Sequence, residues 1–266
     1  MWQYKGEKMC RLLGLVANKP VDIEFSLQRF KKFSTYNPDG WGIGWYGNNF
    51  PKVFREGISA KDKKSQLSNL SREVRSKIII AHVRKGTGAP PSEINSHPFQ
   101  YKNWIFAHNG SVDRDYLFSL LRDEYRNELK GGTDSEVYFY WILQCVEESK
   151  DVIEGIEKSI DKVTRKSYSG LNFLLSDGKC LYVFRYSSTS RDYYSLWLLR
   201  REPSKSGPLE IESQETKALL RSKSLKGERA VLVCSEPLTK EKWEEIQFGN
   251  MLIIQPDLNT REVRIL

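Results

Sequence analysis

Apolar and polar positions change their period along this chain, and the changes divide it into strands, then helices, then strands again. RLLGLVA (11–17) is a short, nearly unbroken apolar run, the pattern of a strand. FSLQRFKKF predicts a helix after it. NPDGWGIGWYG then combines an Asn-Pro-Asp-Gly turn signal with alternating aromatics, and KVFREG completes a hairpin. A polar helix through KKSQLSNLSREV leads into KIIIAHV, whose β-branched run reads as a buried strand, and WIFAHNG is another strand ending in a turn. From Asp113 to about Lys166 the period is helical, with two or three helices and a cap signal, GGTD, ahead of SEVYFYWILQCVEE.

From Ser169 the period returns to two. GLNFLLSDGKCLYVFRY places Asp-Gly between alternating runs, which predicts a hairpin. YYSLWLLRR, ERAVLVCSEP, NMLIIQPD and EVRIL supply four more strands. No regular βαβ alternation, internal repeat or domain linker is visible, so the pattern favours a layered α+β architecture over a doubly wound one.

Apolar residues make up 39% of the chain and charged residues 29%, as in ordinary globular proteins, so disorder is not the default. The net charge of +8 raises the question of nucleic acid. The densest basic stretches, LLRREPSKSG and LLRSKSLKGER, are rich in Ser and Gly and read as a solvated loop around residues 200–228 instead. No nucleic-acid partner is expected. No apolar run approaches the ~20 residues of a membrane span, and MWQYKGEK lacks the features of a secretory signal. The expected compartment is the cytoplasm.

The four cysteines show no CxxC pair and no zinc spacing. Cys145, Cys180 and Cys234 fall in helix-like or strand-like runs and read as small core residues. Cys10 differs, because it follows a methionine directly and opens a strand. Three further strand ends carry reactive-looking groups: NPDG, HVRKGTG with NSHPF, and AHNGS, with TDSE opening the long helix. Taken singly, each has a plain structural explanation as core residue, turn, surface charge or cap.

Together and in this order, MCRLLG, NPDGWGIGWY, AHVRKGTG, NSHPF, FAHNGS, TDSEVYFYWIL and CSEPL resemble the class II glutamine amidotransferases, a family of N-terminal nucleophile enzymes. They are most similar to its stand-alone branch of YafJ-like proteins and γ-glutamyl hydrolases. The resemblance runs from Met9 almost to the C-terminus and implies a four-layer αββα sandwich with two stacked antiparallel sheets in one domain, 10–266. It also implies cleavage of a γ-glutamyl amide, of glutamine or a larger compound, through a Cys10 thioester.

By that resemblance, Asn109 and Gly110 form the oxyanion hole. Arg84 binds the substrate α-carboxylate, Asp134 its α-ammonium, and Thr87 adds a hydroxyl contact. Asn37 and Asp39 lie in a turn beside the nucleophile, as turn formers or substrate contacts. His82, His97 and His108 are read as structural hydrogen-bonders. No metal or organic cofactor is implied. Without a synthase domain in this chain, the resemblance leaves open a synthase partner subunit that uses the ammonia, or a self-contained hydrolase. A non-catalytic binding module that keeps the fold is the alternative from another class.

A free thiol titrates near about 8.5 and needs a base to become a nucleophile at neutral pH. An N-terminal cysteine has one in its own α-amine, which titrates near about 8. Residues 1–9 would block that amine by an amide bond. They read as an upstream translation start or a propeptide, with Met9 well placed as an initiator whose removal exposes Cys10.

Overall fold

The computed structural model describes residues 10–22, 24–202 and 227–266. Its elements in chain order are β1 (Arg11–Asp22), α1 (Glu24–Phe30), a 3-10 turn (Lys31–Thr35), β2 (Trp41–Gly47), β3 (Phe50–Glu56), α2 (Leu67–Glu73) and β4 (Arg75–Val83). β5 (Phe99–Tyr101), β6 (Trp104–Val112), α3 (Arg114–Leu120), α4 (Asp123–Arg126), α5 (Asp134–Ser149) and α6 (Val152–Val163) follow. The chain closes with β7 (Tyr168–Ser176), β8 (Leu181–Phe184), β9 (Trp197–Arg201), β10 (Ala230–Cys234), β11 (Glu244–Glu245), β12 (Asn250–Ile254) and β13 (Thr260–Arg264).

Two sheets result. One runs β11-β9-β10-β1-β4-β2-β3 and the other β13-β12-β8-β7-β6-β5; every paired register is antiparallel. Three apolar layers hold them. Leu12, Val16, Ile78 and Ile80 of the first sheet meet Ile105, Ala107, Leu174, Leu181 and Val183 of the second between the sheets. Leu13, Leu15, Ile79 and Ala81 point the other way, onto Leu27 and Phe30 of α1 and Leu67 of α2. Phe106, Leu171 and Phe173 pack outward against Val137, Phe139 and Ile142 of α5. The architecture is the four-layer αββα sandwich. The near-continuous apolar runs of β1 and β4 follow from burial on both faces. Gly14 marks a close approach of the sheets, since a Cβ there would lie 2.9 Å from Leu181.

Turn chemistry sets the hairpins. Asn48 and Asn49, at φ 54° and 66°, form the two-residue loop between β2 and β3, and Gly178 at φ 87° follows Asp177 between β7 and β8. Thr133 caps α5 by accepting from the Glu136 amide at 3.2 Å. The Glu136 carboxylate reaches back to the amides of Gly131 (2.7 Å) and Lys130 (3.1 Å), which fixes the loop ahead of the helix. α5 is buried all round from Ser135 to Cys145, because sheet and neighbouring helices enclose it.

Several expectations need correction. The 113–166 region holds four helices, α4 being a single turn. β9 begins only at Trp197, so Tyr193 and Tyr194 of YYSLWLLRR are not in it. The Tyr194 carbonyl accepts instead from Asn172 Nδ2 (3.0 Å) and Arg185 Nε (3.1 Å), which takes it out of a ladder. Cys180 is half-buried in the β7–β8 turn and packs only at the core's edge. Residues 1–9, and most of the basic loop around 200–228, lie outside the described residues. Among the described residues, no helix is long and apolar enough to cross a membrane.

Candidate active site

Period-two alternation brings the candidate residues to one end of the inter-sheet layer. Leu12 faces that layer from β1, and Cys10 lies two residues before it, just ahead of the strand. Ile105 and Ala107 face it from β6, and Asn109 is the next residue of the same parity. β4 pairs with β1, Val83 opposite Arg11, so the chain leaving β4 passes beside Cys10.

The Cys10 Sγ lies against that passing chain. The Lys85 amide donates to it at 3.2 Å, and the thiol is 3.4 Å from the Lys85 carbonyl. Burial pushes the thiol above its ordinary value; the Lys85 amide and the charges of Arg84 and Arg11 oppose this without overcoming it. The sulfur is therefore a neutral thiol at pH 7.

Arg84 is buried, and its guanidinium is largely spent on the loop that follows it. Nη2 donates to the Ala89 carbonyl at 2.6 Å, and Nη1 to the carbonyls of Asp39 (3.3 Å) and Pro90 (3.5 Å). Burial lowers its proton affinity, while Cys10, Asp39 and Asp134 raise it, so these four groups share one electrostatic neighbourhood. Asp134, the first residue of α5, accepts the Val112 amide at 2.8 Å and gains from the helix N-terminus. Thr87 is exposed on the loop after β4. Asn37 is buried, its Nδ2 donating to the Phe33 carbonyl at 3.0 Å, a bond within its own turn.

Asn109 and Gly110 end the regular part of β6 opposite Asn172 and Leu171. Asn109 is 1% exposed, and among the described residues its Nδ2 has no hydrogen-bond partner. A buried amide with an unspent donor is costly, and such groups cluster at sites that a ligand completes. Gly110 has φ 148°, and a Cβ would come within 1.9 Å of the Gly170 carbonyl. Only glycine fits. Gly110→Ala should therefore lower stability by about 3 kcal/mol or more in a urea melt, combining backbone strain with overpacking; a midpoint equal to that of the parent would remove this steric argument.

The histidines divide. His108 is a hydrogen-bonder as expected, with Nδ1 2.9 Å from Ser135 Oγ and Nε2 3.1 Å from the Gly170 carbonyl. Since a carbonyl only accepts, Nε2 carries the proton. His82 and His97 are not hydrogen-bonders: among the described residues neither ring has a partner for either nitrogen. Their rings lie against each other, centroids 4.2 Å apart and tilted by 42°.

Sequence reasoning missed three contributors. The Lys85 amide is main chain and leaves no residue signature. Ser235 Oγ accepts the Leu12 amide at 2.9 Å and anchors the start of β1; it sits in the quoted CSEPL, which marked the segment without its role. Tyr194 is close enough to Cys10 to feel its charge, and its hydroxyl bonds Ser169 Oγ at 2.9 Å.

This sandwich, with a cysteine at the end of its central strands, is the architecture of the N-terminal nucleophile class. The chain belongs to the class II glutamine amidotransferases, whose family model matches residues 9–261. It is 32% identical over 256 residues to an uncharacterized protein of Methanocaldococcus jannaschii, covering 93% of this chain and 69% of that one. It is 30% identical over 260 residues to YafJ of Escherichia coli, covering 91% and 95%. A γ-glutamyl-hercynylcysteine sulfoxide hydrolase of Mycobacterium tuberculosis is 32% identical over 122 residues, 41% of this chain and 52% of that one. Among solved structures, a glutamine aminotransferase class-II domain protein from Silicibacter pomeroyi shares the fold at TM-score 0.65 and 23% identity, covering 96% of this chain and 99% of that one.

Proposed function

We propose that the protein is a γ-glutamyl amide hydrolase that works through a thioester on Cys10. The observation that carries this reading is the buried, unspent Asn109 amide at the same end of the inter-sheet layer as the Cys10 thiol. The α-amine of Cys10, once freed from residues 1–9, takes the thiol proton. The sulfur attacks the γ-carbonyl, and negative charge develops on its oxygen. Asn109 Nδ2 and the Gly110 amide donate to that oxygen. Collapse expels ammonia or an amine, protonated by the same α-amine, and leaves a γ-glutamyl thioester. Water activated by the amine then attacks the thioester, which releases glutamate and restores the thiol.

Arg84 and Asp134 suit the two charged ends of the γ-glutamyl group. The guanidinium keeps N–H donors beyond those spent on the loop, and Asp134 keeps a second carboxylate oxygen beyond the one that holds Val112. In this reading Thr87, on the same loop as Arg84, adds a hydroxyl contact. The similarity to a γ-glutamyl compound hydrolase supports an amide larger than glutamine as substrate, while the family membership equally accommodates a glutaminase that passes ammonia to a synthase partner. The γ-glutamyl pocket is common to both.

Asn109→Ala tests the central assignment. Its Nδ2 has no hydrogen-bond partner among the described residues, so the variant should still fold, with the modest stability loss of a truncated buried side chain, while kcat on a γ-glutamyl amide falls roughly 100- to 1,000-fold and KM changes little. A kcat within a few-fold of the parent would place the oxyanion elsewhere. Running glutamine and larger γ-glutamyl amides in parallel, with and without a candidate synthase, separates the two versions. Strong activity of the lone chain on a larger amide excludes the obligate subunit.

A further inference from the structure

Cys10 is gripped by main chain rather than by a side chain, and that grip is itself held from one point. Asp39 N donates to the Arg84 carbonyl at 3.1 Å, and Arg84 N donates to the Gly40 carbonyl at 2.8 Å, so residues 39–40 and 84 are zipped together. One residue further, Asp39 Oδ2 accepts the Gly86 amide at 2.9 Å. Between these anchors lies Lys85, whose amide donates to Cys10 Sγ at 3.2 Å. Gly40 leaves no room for a side chain, since a Cβ there would meet Ser96 Oγ at 2.3 Å and the Glu56 carbonyl at 2.9 Å.

We propose that Asp39 is a positioning residue, whose carboxylate holds the Gly86 amide so that the Lys85 amide stays aimed at the Cys10 sulfur and stabilises its thiolate. The assignment rests on Cys10 as nucleophile, and it gives Asp39 a role that is neither plain turn formation nor contact with substrate. A single N–H donor aimed at sulfur favours the charged form of the thiol. The loop after β4 has no helix or ladder of its own to hold that N–H in place. Arg84 stands beside both Cys10 and Asp39, so a change at position 39 reaches the thiol through charge as well as through the Lys85 amide.

Charge and position make opposite forecasts for Asp39→Ala. Removing a nearby carboxylate by charge alone eases ionisation of the thiol, whereas loss of the Lys85 grip hinders it. Alkylation of the full chain by iodoacetamide, followed at the Cys10 peptide by mass spectrometry from about pH 6 to about pH 10, reads the difference without requiring turnover. Positioning predicts that Asp39→Ala raises the alkylation midpoint by about one pH unit, roughly a tenfold slower reaction near neutrality. Asp39→Asn keeps an acceptor for the Gly86 amide and should leave the midpoint at or slightly below that of the parent. An unchanged or lowered midpoint in the Ala variant overturns the proposal. So does a rise in the Asn variant, which decides alone if the Ala variant does not fold. Because alkylation is scored apart from turnover, a chain inactive on γ-glutamyl amides yet showing these shifts would fault the functional reading and leave the positioning role intact.

Discussion

A chain that begins at Cys10 should hydrolyse a γ-glutamyl amide roughly 100- to 10,000-fold faster than one that retains residues 1–9, the range that general-base catalysis supplies. The thiol does not ionise by itself, because burial raises it and the surrounding donors and cations do not restore it. Side-chain bases are missing from its reach: among the described residues, the hydrogen bonds recorded for Sγ go to the Lys85 peptide. Burial drives the proton affinity of all three histidines down, and His108 has both nitrogens engaged. An amide nitrogen at residue 10 cannot accept a proton, so the proposed mechanism takes its base from the amine that removal of residues 1–9 creates. The two forms, each verified by intact mass, are to be compared at equal concentration. With the free amine, kcat/KM should climb with pH up to about 8, as the amine loses its proton. Equal turnover by the extended form would refute the free-amine mechanism, and Cys10→Ala sets the zero of the assay.

What the sequence showed was the part of the molecule governed by local period and by side-chain chemistry. RLLGLVA read as a strand and KIIIAHV as a buried one, and both are covered on two faces; the Asp177-Gly178 and GGTD signals produced the turn and cap they announce. β5 and β11 stayed hidden because three and two residues carry no period. The late start of β9 depends on Asn172 and Arg185 capturing the Tyr194 carbonyl, a tertiary event with no local trace. The same division holds at the site. Cys10, Arg84, Asn109 and Asp134 were visible as chemistry-bearing residues at element ends, while their convergence depends on register: Arg11 opposite Val83, and Asn109 in phase with Ala107. The Lys85 amide was not legible, since main-chain donors look alike in any sequence.

Lowering the pH from about 8 to about 5 should cost the fold about 2 kcal/mol through His82, with His97 adding to the loss in the same direction. Both are buried without hydrogen-bond partners for their ring nitrogens among the described residues. Burial, and then repulsion from charge on Arg84 or His108 for His82 and on His82, His108, Arg84 or Arg55 for His97, disfavours their charged forms, taking His82 down to about 3. The His108 main chain favours protonation of His82 but is not aligned as a hydrogen bond. In the unfolded chain each histidine protonates near about 6.5. Below that value the unfolded state binds protons that the native state refuses, so stability falls as pH falls and is complete only above it. At pH about 5 His82 contributes about 2 kcal/mol of this loss and His97 adds to it, a large part of the 5–15 kcal/mol typical of a domain. Urea melts from about pH 8 down to about pH 5 should show the decline, and it should be strongly reduced in the His82→Leu, His97→Leu double variant, in which nothing at either position can protonate. A parent whose midpoint stays level over that interval, or a double variant as acid-sensitive as the parent, would show that these rings find partners or protons in the native state.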